Sequence, residues 1–234
     1  MKKLLFVFTL CLCTIGVSWG EDVTIYLHDF GTVDITSHPY TVPPSTFATH
    51  LSNSSWSNSK SAWTSYNGQS GKAIAMSSVS GTQTINLTFD IETGYQVSIS
   101  KYNFWRQRSN TGPTGWSMTI NNINVGSGTN PTTGAALATD PIDVSNGVNG
   151  QTGSINVQIT LTGGTGGTFR LDNFQLVGSV TTLGQSAPTT QASNITFSSI
   201  EPYKMTVSWT NGNGANRIAK MNTSSSFTNP SDGS

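Results

Sequence analysis

The sequence predicts an all-β protein, an antiparallel sandwich of jelly-roll type. Three observations carry that reading. Apolar and polar residues alternate with period two in several short segments, Gly-rich turns separate those segments, and no stretch after residue 20 shows a helical apolar repeat. Short alternating strands at this spacing belong to antiparallel sandwiches and barrels.

Taken in order, the chain opens with Lys2 and Lys3, an uncharged apolar run from Leu4 to Val17, and Ser18-Trp19-Gly20. A basic start, an apolar stretch and small residues at −3 and −1 describe a secretion signal, residues 1–20, cleaved after Gly20. The run is too short to span a bilayer comfortably, and the residues before Cys11 and Cys13 do not suit a lipobox. The expected location is secreted, with no membrane span after cleavage.

Both cysteines lie inside this signal, so residues 21–234 offer no disulfide, no thiolate nucleophile and no cysteine-ligated zinc. Loss of Lys2 and Lys3 takes the formal net charge from 0 to −2. No basic face is available to neutralise phosphates, which excludes nucleic acid as a partner. Charged residues are 9% of the chain, against about 25% in ordinary domains. Ser, Thr, Asn and Gly supply the polar surface instead.

The strands follow. Ile85, Leu87 and Phe89 share one phase, as do Tyr95, Val97 and Ile99, and Ile155, Val157, Ile159 and Leu161. In the last segment Phe169 and Leu171 share a phase with Asn173 and Gln175, opposite to Asp172, Phe174 and Leu176. Gly163-Gly164-Thr165-Gly166-Gly167 lacks the Gly-Lys-Ser/Thr ending of a phosphate cradle, so it reads as a flexible hairpin loop. Residues 21–178 are thus one sandwich domain, residues 179–191 a linker rich in Thr, Gly and Ser, and residues 192–234 a further β unit.

Catalytic sets are missing. His28, His38 and His50 form no His-Glu-x-x-His, no Gly-x-Ser-x-Gly elbow occurs, and Glu21, Glu92 and Glu201 give no reason to face one another across a cleft. The expectation is a protein that is not an enzyme.

Aromatic residues offer more. Trp56, Trp63 and Tyr66 sit among short polar side chains in Ser54-Ser55-Trp56-Ser57-Asn58 and Ala62-Trp63-Thr64-Ser65-Tyr66. Flat rings beside hydroxyl and amide groups suit a sugar, whose CH faces stack while its rim hydroxyls hydrogen-bond. The competing reading places the same rings over one end of the core, because large aromatics bury most of their area. The length and irregularity of residues 36–70 favour a functional loop and make these three residues the candidate ligand-facing surface. Tyr102, Phe104, Arg106 and Arg108 share a face opposite Trp105, so either a ring or the arginines point outward. The arginines either bind an anionic sugar, stack on an aromatic, or form a solvated strand face.

Three segments resemble a known family: Gly94–Ile99, Arg108–Trp116 with its Ser-x-x-Gly-Pro turn, and Gly167–Gly178 with its closing Leu171-Asp172-Asn173. Together they look like the jelly-roll, carbohydrate-binding-like modules near the N-terminus of secreted bacterial multi-domain proteins. A second resemblance covers Ile195–Phe197, Met205–Thr210 and Arg217–Met221, which look like the first three strands of a fibronectin type III domain with Trp209 as its core tryptophan. That sandwich is expected to be incomplete at Ser234. The first resemblance implies a structural calcium near Asp29 and Asp172 with help from Asn173. The resemblance is specific for fold and weak for ligand; from the aromatics and the missing catalytic sets the expectation is a monomeric, non-catalytic module binding polysaccharide or a cell-surface glycan. The alternatives are a structural spacer or adhesin scaffold, and an accessory front end of a secreted hydrolase or nuclease.

Overall fold

The computed structural model describes residues 22–134, 140–184, 190 and 192–212. The expected signal at 1–20, residues 185–189 and 191 of the expected linker and the expected strand at 217–221 lie outside those residues. The chain divides into two units, Met1–Leu183 and Gly184–Ser234. All regular structure among the described residues is β.

Ten strands build the first unit: β1 (Val23–His28), β2 (Thr46–Phe47), β3 (Leu51–Asn58), β4 (Tyr66–Asn67), β5 (Lys72–Ile91), β6 (Tyr95–Arg108), β7 (Gly115–Ile120), β8 (Ile123–Thr129), β9 (Ile142–Gln151) and β10 (Ser154–Thr182). Two of them are long enough to belong to both layers of a sandwich. The first half of β10 runs antiparallel between β5 (Ser154↔Asp90 to Leu161↔Gln83) and β7 (Val157↔Ile120 to Thr162↔Gly115). With β3 beside β5 and β8 beside β7, this makes the back sheet. The second half of β10 runs between β1 and β6, flanked by β2 and β9, and makes the front sheet. The first half of β5 carries β4 and meets β10 at Phe169–Leu171.

Aromatic side chains fill the space between the layers. Tyr26 of β1 stacks on Phe89 of β5 at 5.5 Å, and Phe104 of β6 meets Trp116 of β7 edge-on at 4.9 Å. The alternating residues Ile85, Leu87, Phe89, Ile155, Val157, Ile159 and Leu161 are all buried, as period two requires. The phase change in the last segment has a local cause. Pairing with β6 shifts between Asp172 and Gln175, and Asn173 takes a φ of 50°. One residue is inserted there, which returns Phe174 and Leu176 to the core beside Phe169 and Leu171.

The stretch Gly163–Gly167 is not a hairpin loop. The chain does not reverse there; it bends from one sheet to the other inside β10 while still paired with β5 (Gly164↔Gly81, Thr165↔Ser80, Gly167↔Val79). The turn at Ser109–Gly112 docks on this bend: Gly112 N donates to Ser109 O, Ser109 N to Thr168 O, and Thr165 N to Thr111 O. Gly167 is required at this contact, since a Cβ there would lie 2.2 Å from Gly112 N.

Two boundaries also move. Residues 179–182, expected in the linker, continue β10 and pair with Tyr95–Ser98 of β6. The segment 36–70, expected as an irregular loop, contains β2, β3 and β4.

In the second unit, β11 (Ser193–Glu201) and β12 (Lys204–Thr210) form an antiparallel pair. These are two of the three expected strands.

Candidate functional site

The three aromatic candidates are separated by the fold. Trp56 lies on the core side of β3 and is 1% exposed, edge-on to Phe174 at 5.1 Å and to Phe30 at 5.4 Å. Its Nε1 donates to Tyr26 Oη at 2.8 Å. Trp63 is also buried, packed against the His38 ring at 5.7 Å. The expected ligand-facing surface of Trp56, Trp63 and Tyr66 is therefore not assembled. Burying an indole gains more than exposing it, and the polar neighbours that suggested a platform have local work. Ser54 bonds Tyr26, and Asn58 donates to Ala62 O.

Tyr66 alone of the three is partly exposed, at the short β4–β5 pairing. The Arg170 guanidinium lies over its ring, 4.4 Å from the centroid. The inward phase of Phe169 and Leu171 turns Arg170 and Asp172 to the outer face of the front sheet, where their β6 partners are Gln107 and Trp105. Arg170 Nη1 donates to Asn67 O at 3.4 Å and to Gln107 Oε1 at 3.3 Å, and Gln107 Nε2 donates to Thr132 O at 2.7 Å. A row of ring, guanidinium and amide thus crosses the face between the segments 67–71 and 130–134. Gln69 and Asn173 extend it, with Asn173 Nδ2 donating to Gln69 Oε1 at 3.3 Å. Arg170, Gln107 and Gln69 were missed in the sequence, although the alternation around Leu171 marks Arg170 as outward-facing.

Trp105 does point outward, yet it is buried beneath the neighbouring segment, with Gly134 against its indole. Arg106 takes the stacking role, 5.3 Å from the Phe104 centroid and 5.2 Å from that of Trp116. Arg108 donates to the carbonyls of Asn130, Ser109 and Asn110. Both arginines find partners within the fold.

The expected calcium group has its donors otherwise engaged. Asp172 is fully buried; its Oδ2 accepts from Gln69 N at 2.8 Å and Ser70 N at 3.3 Å, and its Oδ1 accepts from Asn173 N at 2.8 Å. Gly68 packs so closely that a Cβ there would meet the carboxylate. Asp29 is exposed and accepts from Gly31 N at 3.3 Å. Burial raises the Asp172 pKa, the three backbone N–H groups act against it, and the Asp29 charge raises it further. Calcium takes six to eight oxygen ligands, whereas amide hydrogens surround this carboxylate. Among the described residues no three His, Cys, Asp or Glu side chains gather to hold a metal. Asp172 pins the 68–70 turn through its bonds to Gln69 and Ser70.

No protein-family model matches the sequence, and no curated protein matches it. The comparison with solved structures gives distant similarities. One is TmCBM61 in complex with β-1,4-galactotriose, at 12% identity over 54% of this chain and 88% of that one, with a TM-score of 0.31. Another is the family 11 carbohydrate-binding module of the cellulosomal cellulase Lic26A-Cel5E of Clostridium thermocellum, at 15% identity over 67% and 95%, TM-score 0.34. A third is the family 11 module from Clostridium thermocellum in complex with a β-1,3-1,4-mixed-linked tetrasaccharide, at 12% identity over 63% and 98%, TM-score 0.32.

Proposed function

We propose that the first unit is a non-catalytic module that binds a neutral polysaccharide or cell-surface glycan across the outer face of its front sheet, on behalf of a secreted protein. The observation that carries this reading is the row Tyr66–Arg170–Gln107. An aromatic ring offers a CH-stacking face, while a guanidinium and an amide beside it hydrogen-bond ring hydroxyls. Secretion rests on the residue 2–20 pattern alone.

The test is calorimetric titration with β-1,4-galactotriose and a mixed-linked tetrasaccharide, followed by pull-down on insoluble polysaccharides. Tyr66→Ala and Arg170→Ala should each weaken binding about tenfold, equivalent to about 1.4 kcal/mol, with little change in melting temperature because both side chains are partly exposed. Absence of binding across the panel would instead favour a structural spacer.

A further inference from the structure

A second feature lies away from this row. A groove of about 580 Å³ opens between the segment 41–47 and β3, the outer strand of the back sheet. We propose that this groove is a separate binding site for a neutral sugar unit.

Its size falls within the roughly 300–1,000 Å³ of small-ligand sites. Pro43, Pro44, Phe47 and Leu51 give it apolar walls. Phe47 is half-buried, its ring held edge-on by Tyr26 at 5.6 Å and Phe89 at 5.8 Å, so this wall is fixed by the core.

The polar side is built from within. Trp56 Nε1 can only donate, so Tyr26 Oη accepts from it. Tyr26 is fully buried, and its own proton has one acceptor within reach, Ser54 Oγ at 2.8 Å. Satisfying that buried phenol means Tyr26 donates to Ser54. Ser54 is 8% exposed and lines the groove. Its hydroxyl proton is then left over, positioned by a relay anchored on the core tryptophan, with no acceptor among the described residues. Thr41, Ser52 and Ser55 also line the groove. No lining residue is charged.

These properties select the ligand. A lining without charge disfavours ions and acidic or basic peptides. Strand addition by an extended peptide is blocked too. The register of β3 breaks between Ser52 and Ser55, Asn53 takes a φ of 57°, and Tyr40 already exchanges both backbone bonds with Trp56 at 2.8 Å. A polyol with apolar CH faces fits both halves of the groove. The site uses β2, β3 and the segment between β1 and β2, whereas the front-face row uses β4, β6 and β10, so the two readings stand or fall separately.

The experiment is amide-resolved NMR titration with β-1,4-galactotriose and a mixed-linked tetrasaccharide at millimolar concentration, in the wild type and in Tyr66→Ala. Saturable shifts at Phe47 and Ser52–Ser55 are expected in both proteins. Ser52→Trp, at an exposed position, should fill the groove and weaken those shifts at least about tenfold while leaving shifts at Asn67 and Gln107 in place. Groove amides that stay still with both sugars overturn the proposal. So does unchanged affinity in Ser52→Trp, or a response of these amides to a neutral proline-rich peptide alone.

Discussion

His28 and Asp172 are buried ionisable side chains, and burial biases each toward its neutral form. His28 Nδ1 accepts from Phe30 N at 2.9 Å, which places the ring proton on Nε2, donating to Val42 O at 3.0 Å. Its pKa lies below the ordinary 6.5, chiefly through burial, with the Val42 bond and the Asp29 charge opposing. A depressed histidine pKa means that the unfolded chain binds the proton more readily. Its stabilisation is therefore complete above pH 6.5 and lost as pH falls toward the depressed value. Urea unfolding from neutral to mildly acid pH should show this decline, and His28→Gln should flatten it. Asp172 has the opposite sign: its pKa is raised, so its contribution is present at acid pH and fades as pH rises through that value. Asp172→Ala should cost about 1–3 kcal/mol by leaving the Gln69, Ser70 and Asn173 amides without their acceptor. Chelator should leave the melting temperature of wild type and variant unchanged; a drop for the wild type would restore the calcium reading. Trp56→Ala should cost about 3–5 kcal/mol, measured by the same unfolding curves. The Ser/Asn setting of Trp56 looked like a ligand platform because sequence shows which residues are neighbours along the chain, not which way β3 faces.

Strand alternation was readable wherever one face is apolar throughout, as in 85–89 and 155–161. It was obscured in β3, where the buried positions are Ser54, Trp56 and Asn58 and two of the three are polar. The glycine run in β10 misled for another reason. Glycine density reports that the backbone must bend or be approached closely, and both a hairpin and a bent continuous strand satisfy that. Only the partner decides, and β5 is long enough to follow β10 around the corner at Val79–Gly81. Gly167→Ala should therefore cost at least about 1–3 kcal/mol as an overpacking effect, since the atoms in the way include the backbone of Thr111 and Gly112. Thermal unfolding measures it, and a neutral result would mean that the Ser109–Gly112 turn can lift away.

Composition changes after Gly178 in the sequence, while β10 runs on to Thr182; Ser179–Thr182 carry no apolar alternation that would show it. The β11–β12 pair has a clean one: Phe197 faces across from Val207, and Thr196 from Ser208. Yet Ile195, Phe197 and Trp209 remain 58%, 60% and 42% exposed. Among the described residues this unit offers two strands, and a two-stranded pair is marginal in water. Hydrogen exchange should show amides of 193–210 exchanging far faster than those of 155–177; equal protection would refute this. The first unit has a different property at its ends. Val23 pairs with Gly178 and β10 runs on to Thr182, so the chain enters and leaves the sandwich on neighbouring strands at one end, about 14 Å apart by strand rise and spacing. A module with that geometry can be spliced into a loop of an unrelated host while parting the host backbone by only about 14 Å. The Tyr66–Arg170–Gln107 row, carried on β4, β6 and the middle of β10, would travel with it as a portable unit.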